Sequence, residues 1–337
     1  MDTITHLALG ACLGEVLATN QLGKKGLALG AVAQIIPDID FVCSLWMDPS
    51  SNVLAHRGFT HSILFALIIA PLLAWLVHRR WGGAGPTFKF WMTFFGVQLF
   101  VHIVLDAFNA YGTAWFEPFS HYRVSFHTLF VADPFFSAPL GVACLILFGL
   151  RLDRKKKVYC ALGAIIISTL YLGYGLLNKF QIDREVRAAF VRQKIPYKQY
   201  FTTPTPFNNW LWWVVATDDS GSFTGYRSVF DKSDKIEFQF FTRNDSLLEN
   251  AGNPEEVNRL KRFSQGYYTV ESRADTLIFN DLRFGQMIGW QYPRADFVFH
   301  FYLRSGFDNS LVLQRGRFEH WDQAATLALL KRIRGIE

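Results

Sequence analysis

The stretch SILFALIIAPLLAWLVH, residues 62 to 78, contains no Asp, Glu, Lys or Arg and is long enough to cross a bilayer. Three more stretches are similarly long and apolar: FWMTFFGVQLFVHIVLDAFNA (90 to 110), PFFSAPLGVACLILFGL (134 to 150) and VYCALGAIIISTLYLGYGLLN (158 to 178). A helix of about 20 apolar residues spans the hydrocarbon core of a membrane. The sequence therefore predicts an integral membrane protein with several spans, whose immediate partner is the lipid bilayer.

Two shorter stretches, 7 to 19 and 26 to 36, are rich in Ala, Gly and Leu. Small residues allow helices to approach closely. These stretches are either short spans packed inside the bundle or a helical hairpin that crosses the membrane only in part. Both interpretations remain open at this point.

The distribution of charge divides the chain. Residues 1 to 179 hold 9 of the 28 acidic and 13 of the 34 basic residues, although they make up more than half of the 337 residues. Such a break in composition indicates two solvents and two domains. We predict an all-α polytopic membrane bundle at 1–179, followed by a soluble α+β domain at 180–337.

The second domain shows short runs in which apolar and polar residues alternate, as in antiparallel strands. The clearest runs are IEFQFF (236 to 241), FVFHFYL (297 to 303) and SLVLQRGRF (310 to 318). Helical patterns are found at 183 to 194, 253 to 264 and 321 to 334. Its 21 basic and 19 acidic residues are nearly balanced, which does not indicate a nucleic-acid partner.

Basic residues favour one orientation in the membrane. Ten of them fall on alternate connections between the apolar stretches, whereas the opposite connections contain only Arg57 and Arg123. Connections rich in Lys and Arg face the cytoplasm. This predicts a multi-pass protein of a bacterial-type inner membrane, with the C-terminal domain on the extracytoplasmic side. For the first two helical stretches, the inference requires that both cross the membrane.

Histidines and acids of the membrane half collect on the predicted outer side. Ionisable residues at membrane depth are costly and usually functional, and imidazole with carboxylate is a ligand set for Zn²⁺ and related ions. The most specific pattern is His102-x-x-x-Asp106, which places both side chains on one helix face. Two further motifs are PDID (37 to 40) and HRGFTHS (56 to 62), in which Thr60 or Ser62 also fits as a helix cap.

Several candidates also have another explanation. PDID fits a turn that ends a helix, and His6 fits a buried polar residue. Asp133 precedes Pro134, so helix capping is sufficient to explain it. Arg57 could bind either an anionic substrate or lipid headgroups.

The ordered series MDTITHLALG, PDID, HRGFTHS, HxxxD with NAYGT, and ADP resembles the inner-membrane-associated metal-dependent hydrolase family (YdjM-like, also called LexA-binding hydrolases). The resemblance covers about residues 1 to 180 and implies a membrane-bound, metal-dependent hydrolase. A fainter similarity, in an N-terminal histidine, a carboxylate and HxxxD, is to the zinc-dependent phospholipase C and nuclease fold. It implies a phosphoester substrate, such as a phospholipid.

Together these features predict one or two divalent ions, with Zn²⁺ as the expected metal, near the outer face. The expected ligands are His6, Asp38, His56, His61, His102 and Asp106. Asp40 and Asp133 are candidates for outer-shell support or general base, and Arg57 for charge stabilisation. Two non-enzymatic alternatives stay open: a structural metal site beside a partner-binding domain, and an ion- or proton-conducting protein.

Overall fold

The structure is a computed structural model and describes residues 1–81, 85–251, 253–304, 309 and 321–336. Its first half is helical. The helices are α1 (Thr3–Leu22), α2 (Lys24–Gln34), α3 (Pro49–Ala55), α4 (Ile63–Trp81), α5 (Phe88–Asp106), α6 (Pro134–Gly149) and α7 (Arg154–Gln193). Two 3₁₀ segments, Pro37–Leu45 and Phe59–His61, lie between α2 and α4.

Three of these helices, α4, α5 and α7, are long and apolar enough to cross a membrane. The fourth predicted span forms α6, which has 16 residues and is therefore shorter than a typical crossing helix. Helix α2 and the 3₁₀ segment Pro37–Leu45 are together long and apolar enough to form one broken span, bent by 52°. The prediction of an apolar helical N-terminal region is confirmed.

Helices α1 and α2 pack unusually closely because glycines face one another. A Cβ built on Gly30 would lie 2.2 Å from the Gly10 carbonyl oxygen, and one on Gly14 would lie 2.3 Å from the Gly26 carbonyl oxygen. Gly23, at φ 52°, provides the tight connection between the two helices. The two stretches that the sequence left open thus form a hairpin of two tightly packed helices.

The C-terminal part contains two antiparallel sheets, which confirms the predicted α+β class. The first has the order β1 (Gln199–Pro204), β2 (Leu211–Thr217), β3 (Gly221–Ser228), β4 (Phe238–Thr242). The second has the order β5 (Tyr268–Arg273), β6 (Thr276–Gln286), β7 (Phe297–Tyr302). Helices α8 (Pro254–Phe263) and α9 (Gln323–Ile333) match two of the predicted helical patterns, whereas the predicted strand at 310 to 318 lies outside the described residues.

Strand β2 contributes to apolar clusters on both of its faces. Trp212 and Val214 pack with Ile182 and Phe190 from the end of α7. The alternate residues Trp213 and Val215 pack with Phe201, Tyr267, Leu282 and Phe297 on the other face. Because both faces of β2 are covered, every residue of this strand is buried.

The chain divides into two compact units. The first comprises Met1–Trp46 and Ala55–Gly175, and the second comprises Met47–Leu54 and Leu176–Glu337. Helix α7 contains the point of division, so the predicted span at 158 to 178 and the predicted helix at 183 to 194 form one helix of 40 residues.

Candidate metal centre

Four of the predicted ligands meet in the first unit. One ligand atom from each of Asp38, His61, His102 and Asp106 lies within 4.8 Å of all the others. The Nε2 atoms of His61 and His102 are 3.1 Å apart. Asp38 Oδ1 lies 3.6 Å from the first and 3.5 Å from the second, and Asp106 Oδ2 lies 3.4 Å and 3.8 Å from them. We call these four residues the metal cluster.

His102 and Asp106 occupy the last turn of α5, where spacing of four residues aligns their side chains. Both are fully buried. His102 Nδ1 lies 2.5 Å from the carbonyl oxygen of Gln34, the last residue of α2. This carbonyl is free to accept because the α-helix ends there and Pro37 begins a 3₁₀ segment.

His61 ends the short 3₁₀ turn of HRGFTHS, and Ser62 caps α4 by accepting a hydrogen bond from Phe65 N at 3.0 Å. On the side away from the metal cluster, His61 Nδ1 lies 3.1 Å from Thr60 Oγ1 and 3.4 Å from Asp40 Oδ2. Capping therefore explains Ser62, whereas Thr60 and Asp40 contact the histidine.

The donor atoms fit a divalent cation. His102 Nδ1 must donate its proton, because its neighbour is a carbonyl oxygen, and the neutral ring then presents a lone pair at Nε2. The same arrangement at His61, with Asp40 behind it, directs a second lone pair to the same point. Asp106 Oδ2 is buried and accepts no well-aligned hydrogen bond within the described chain. Two imidazole lone pairs and two carboxylates in one place match the ligand chemistry of zinc.

His6 and His56 lie beside the metal cluster and are not part of the group of four. The ring of His6 stacks on His102 with centroids 3.9 Å apart, and its Nε2 lies 3.0 Å from Asp106 Oδ1. His56 Nδ1 lies 3.2 Å from Asp40 Oδ1, whereas His61 lies nearer the other oxygen of this carboxylate. Ligation by these two histidines remains a prediction.

Residues 1–182, more than half of the chain, match the YdjM inner membrane protein family. The chain belongs to this family. The match contains every residue of the metal cluster and ends near the start of the second domain. Together with the apolar helices, it establishes that the protein is a membrane protein.

Two curated proteins are similar to the chain. It is 35% identical over 122 residues to the inner membrane protein YbcI of Escherichia coli (strain K12), covering 36% of this chain and 69% of that protein. It is 33% identical over 146 residues to the uncharacterized protein YfhP of Bacillus subtilis (strain 168), covering 40% of this chain and 42% of that protein. No solved structure matches the chain.

Arg57 contacts the metal cluster at Asp106 Oδ2, the oxygen that also faces His61 and His102. It is only 3% exposed, and its Nε lies 3.1 Å from Asp106 Oδ2. Its Nη1 donates to Asn109 Oδ1 at 2.7 Å and its Nη2 donates to the Met1 carbonyl oxygen at 3.1 Å. This burial fits a residue that neutralises and orients Asp106 better than one that meets lipid headgroups.

The structure places Asp133 at the start of α6. Its Oδ1 accepts from Phe135 N at 2.9 Å and its Oδ2 accepts from Tyr171 Oη at 2.9 Å. Within the described chain, no contact joins Asp133 to the metal cluster. The simpler interpretation, helix capping, accounts for this geometry, and a catalytic role for Asp133 stays a prediction.

Three polar groups at the centre were not singled out from the sequence: the Gln34 carbonyl, the Asn109 side chain and the Met1 amine, which contacts Asp106. The first and third belong to the backbone and have no signature in residue type. Asn109 opens the NAYGT motif, so its position in that motif was the available signal.

Proposed function

We propose that the protein is a membrane-bound, metal-dependent hydrolase that acts on a phosphoester or lipid-type ester at the outer membrane–water interface. The observation that supports this proposal is the convergence of two histidines and two carboxylates. The ring of each histidine is also held at Nδ1, the nitrogen that faces away from the metal cluster. Asp38, His61, His102 and Asp106 would hold the metal. A bound divalent ion supplies a hydroxide from water near neutral pH and polarises the scissile bond.

The chain's own residues would prepare this site in three ways. The Gln34 carbonyl and Asp40 fix the ring orientations of His102 and His61, as outer-shell partners of metal ligands do. Arg57 offsets the buried charge of Asp106. Asp38, at 18% exposure, is the only one of the four that is not fully buried, so water and substrate would approach on its side.

The location of the reaction follows from the distribution of basic residues. With ten basic residues on one set of connections and two on the other, the metal cluster and the C-terminal domain would both be extracytoplasmic in an inner membrane. The substrate would then be a molecule of the outer leaflet or of the space beyond it.

Hydrolysis by the full-length protein, purified in detergent or reconstituted into vesicles, tests the proposal. A panel of phosphomonoesters, phosphodiesters, phospholipids and carboxylic esters should include one that is cleaved, with activity lost to a chelator and restored by Zn²⁺. His61→Ala should reduce turnover by more than the roughly 10 to 100-fold effect of an outer-shell change. His78→Ala is the matched control, because His78 lies in the last turn of α4 and contacts the Pro86 carbonyl oxygen.

If His61→Ala retains metal-dependent activity equal to that of His78→Ala, the assignment of the site is wrong. Metal bound by the four residues, with every ester class left intact, would contradict the enzymatic proposal and favour a structural metal site.

A further inference from the structure

The segment Met47–Leu54 separates the two loop motifs of the site. It follows the 3₁₀ segment that contains Asp38 and Asp40, and it ends shortly before His56 and His61. Yet it belongs to the compact unit that contains the C-terminal domain, not to the unit that contains the metal cluster. We call Met47–Leu54 the bridging segment.

The bridging segment is ordered from within by Asp48. Asp48 Oδ1 accepts hydrogen bonds from Ser50 Oγ at 2.6 Å and from Ser51 N at 3.0 Å, and its Oδ2 accepts from Ser51 Oγ at 2.7 Å. Burial alone would raise the pKa of the Asp48 carboxyl, but these hydrogen bonds and Arg259 lower its pKa to about 2. Asp48 therefore remains a carboxylate and starts helix α3.

The C-terminal domain holds the bridging segment through α8. Arg259 Nε donates to Ser50 Oγ at 3.0 Å, and Arg259 Nη2 lies 4.0 Å from Asp48 Oδ1. Ser50 is fully buried and Val53 is nearly so, which shows that the segment is packed and not merely tethered. A residue of the C-terminal domain thus fixes the short piece of chain between the two motifs.

The residues on either side of the bridging segment contact each other in the site. Arg57 N donates to Asp40 Oδ2 at 2.7 Å, and the same carboxylate lies 3.4 Å from His61 Nδ1. These contacts join the motif before the segment to the motif after it. Freeing the segment would remove one constraint on the separation of the two motifs, which would then depend on contacts between the motifs, such as those of Asp40 with His56, Arg57 and His61.

We propose that the C-terminal domain positions the metal centre through the bridging segment, with Arg259 as the positioning residue. This role rests on the proposed function, since it concerns the histidine that would bind the metal. The domain that lies beyond the family match would then be required for a correctly arranged site, even though it contributes no ligand.

Hydrogen exchange of the full-length protein in detergent tests the proposal without depending on bound metal. Arg259→Ala should accelerate exchange about tenfold, as expected for loss of a hydrogen bond from a charged group, in the bridging segment and at the Arg57 amide. Exchange in the strands of the C-terminal domain should not change. Arg294→Ala, at an exposed arginine of the same domain, is the matched control and should leave both regions as in the wild type.

Ser50→Ala removes the oxygen that accepts the hydrogen bond from Arg259 and leaves Arg259 in place. This variant therefore keeps the test valid if Arg259→Ala disturbs the folding of the C-terminal domain. Ser50→Ala also removes the hydrogen bond to Asp48, and Arg259→Ala also removes the Arg259–Asp48 ion pair. Because the two changes share only the Arg259–Ser50 hydrogen bond, the double variant should accelerate exchange by less than the product of the two single effects. Acceleration confined to the bridging segment and α8, with the Arg57 amide unchanged in both variants, would overturn the positioning role.

A metal titration separates this proposal from the proposed function. Arg259→Ala should bind Zn²⁺ about tenfold more weakly than the wild type, within the range for an outer-shell change. A wild-type protein that binds no divalent metal would contradict the proposed function, whereas equal affinity in the wild type and Arg259→Ala would overturn the positioning role alone.

Discussion

At the scale of single residues, Asp40 has two candidate roles, support of a metal ligand and general base. One of its oxygens faces His56 at 3.2 Å, and the other accepts from Arg57 N and lies near His61 Nδ1. A general base needs an oxygen that faces the substrate, whereas both oxygens of Asp40 already have partners. We therefore propose that Asp40 orients His61.

Asp40→Asn tests this assignment. The amide keeps the shape of the side chain but loses the charge that supports the His61 ring, so affinity for Zn²⁺ should fall roughly 10 to 100-fold. Isothermal titration or chelator competition measures this change. Asp153→Asn, at an exposed acid before α7, is the control and should bind as the wild type does. Unchanged affinity together with abolished turnover would instead identify Asp40 as the base.

Residue patterns could predict only part of this centre. The spacing of His102 and Asp106 has a direct consequence in a helix, so their alignment was predictable. His56 and Asp40 are sixteen residues apart, and the path between them runs through the bridging segment, so their contact has no local signature. Contacts made by backbone groups, such as the Gln34 carbonyl oxygen, cannot be predicted from residue type either.

At the scale of elements, the α1–α2 hairpin positions one ligand. Gln34 ends α2, and its carbonyl oxygen faces His102. Gln98, one turn before His102 on α5, donates from Nε2 to the Gly10 carbonyl oxygen of α1 at 3.1 Å. The separation of α1 and α2, set by facing glycines, therefore affects where His102 is held.

Gly30→Ala should disturb both the hairpin and the metal centre. The added methyl group would meet the Gly10 carbonyl oxygen at 2.2 Å, and overpacking of this kind costs about 1 to 3 kcal/mol. Gly96→Ala on α5 is the matched control, because nothing lies within 4 Å of its built Cβ. Denaturant unfolding in detergent measures the difference. Equal stability of the two variants would contradict the close packing of α1 and α2.

Strands in which apolar and polar residues alternate along the sequence were the easiest to predict. The runs at 236 to 241 and 297 to 303 alternate and correspond to β4 and β7. Strand β2, LWWVVAT, is buried on both faces, so alternation cannot reveal it. Along α7 the composition changes from apolar to charged near Lys179. Residues 176 to 193 contain no Gly or Pro, so the helix continues through this change in composition.

At the scale of the whole molecule, charge is the strongest guide to orientation. The ten-to-two asymmetry concerns connections that lie close to the apolar helices, where basic residues have their largest effect. The C-terminal domain follows α7, whose N-terminal end begins with Arg154 and three lysines. These cations favour a cytoplasmic start for α7 and hence an extracytoplasmic domain.

A reporter that fluoresces only in the cytoplasm tests this orientation. Fused after Glu337, it should give no fluorescence, because the domain would have crossed the membrane. Fused instead after residue 152, in the basic connection before α7, it should be bright and so control for expression. A bright C-terminal fusion would place the domain in the cytoplasm and reverse the assignment of the outer face.

The measurement that tests the central claim most directly is metal content of the purified full-length protein and its single-residue variants. We expect one or two divalent ions per wild-type chain after reconstitution with Zn²⁺, loss of metal in His102→Ala and in His61→Ala, and retention in His78→Ala. The contrast should exceed the roughly 10 to 100-fold scale of outer-shell effects, because each of the first two variants removes a proposed ligand. Equal metal content in all three variants, or none in the wild type, would contradict a metal centre built from Asp38, His61, His102 and Asp106.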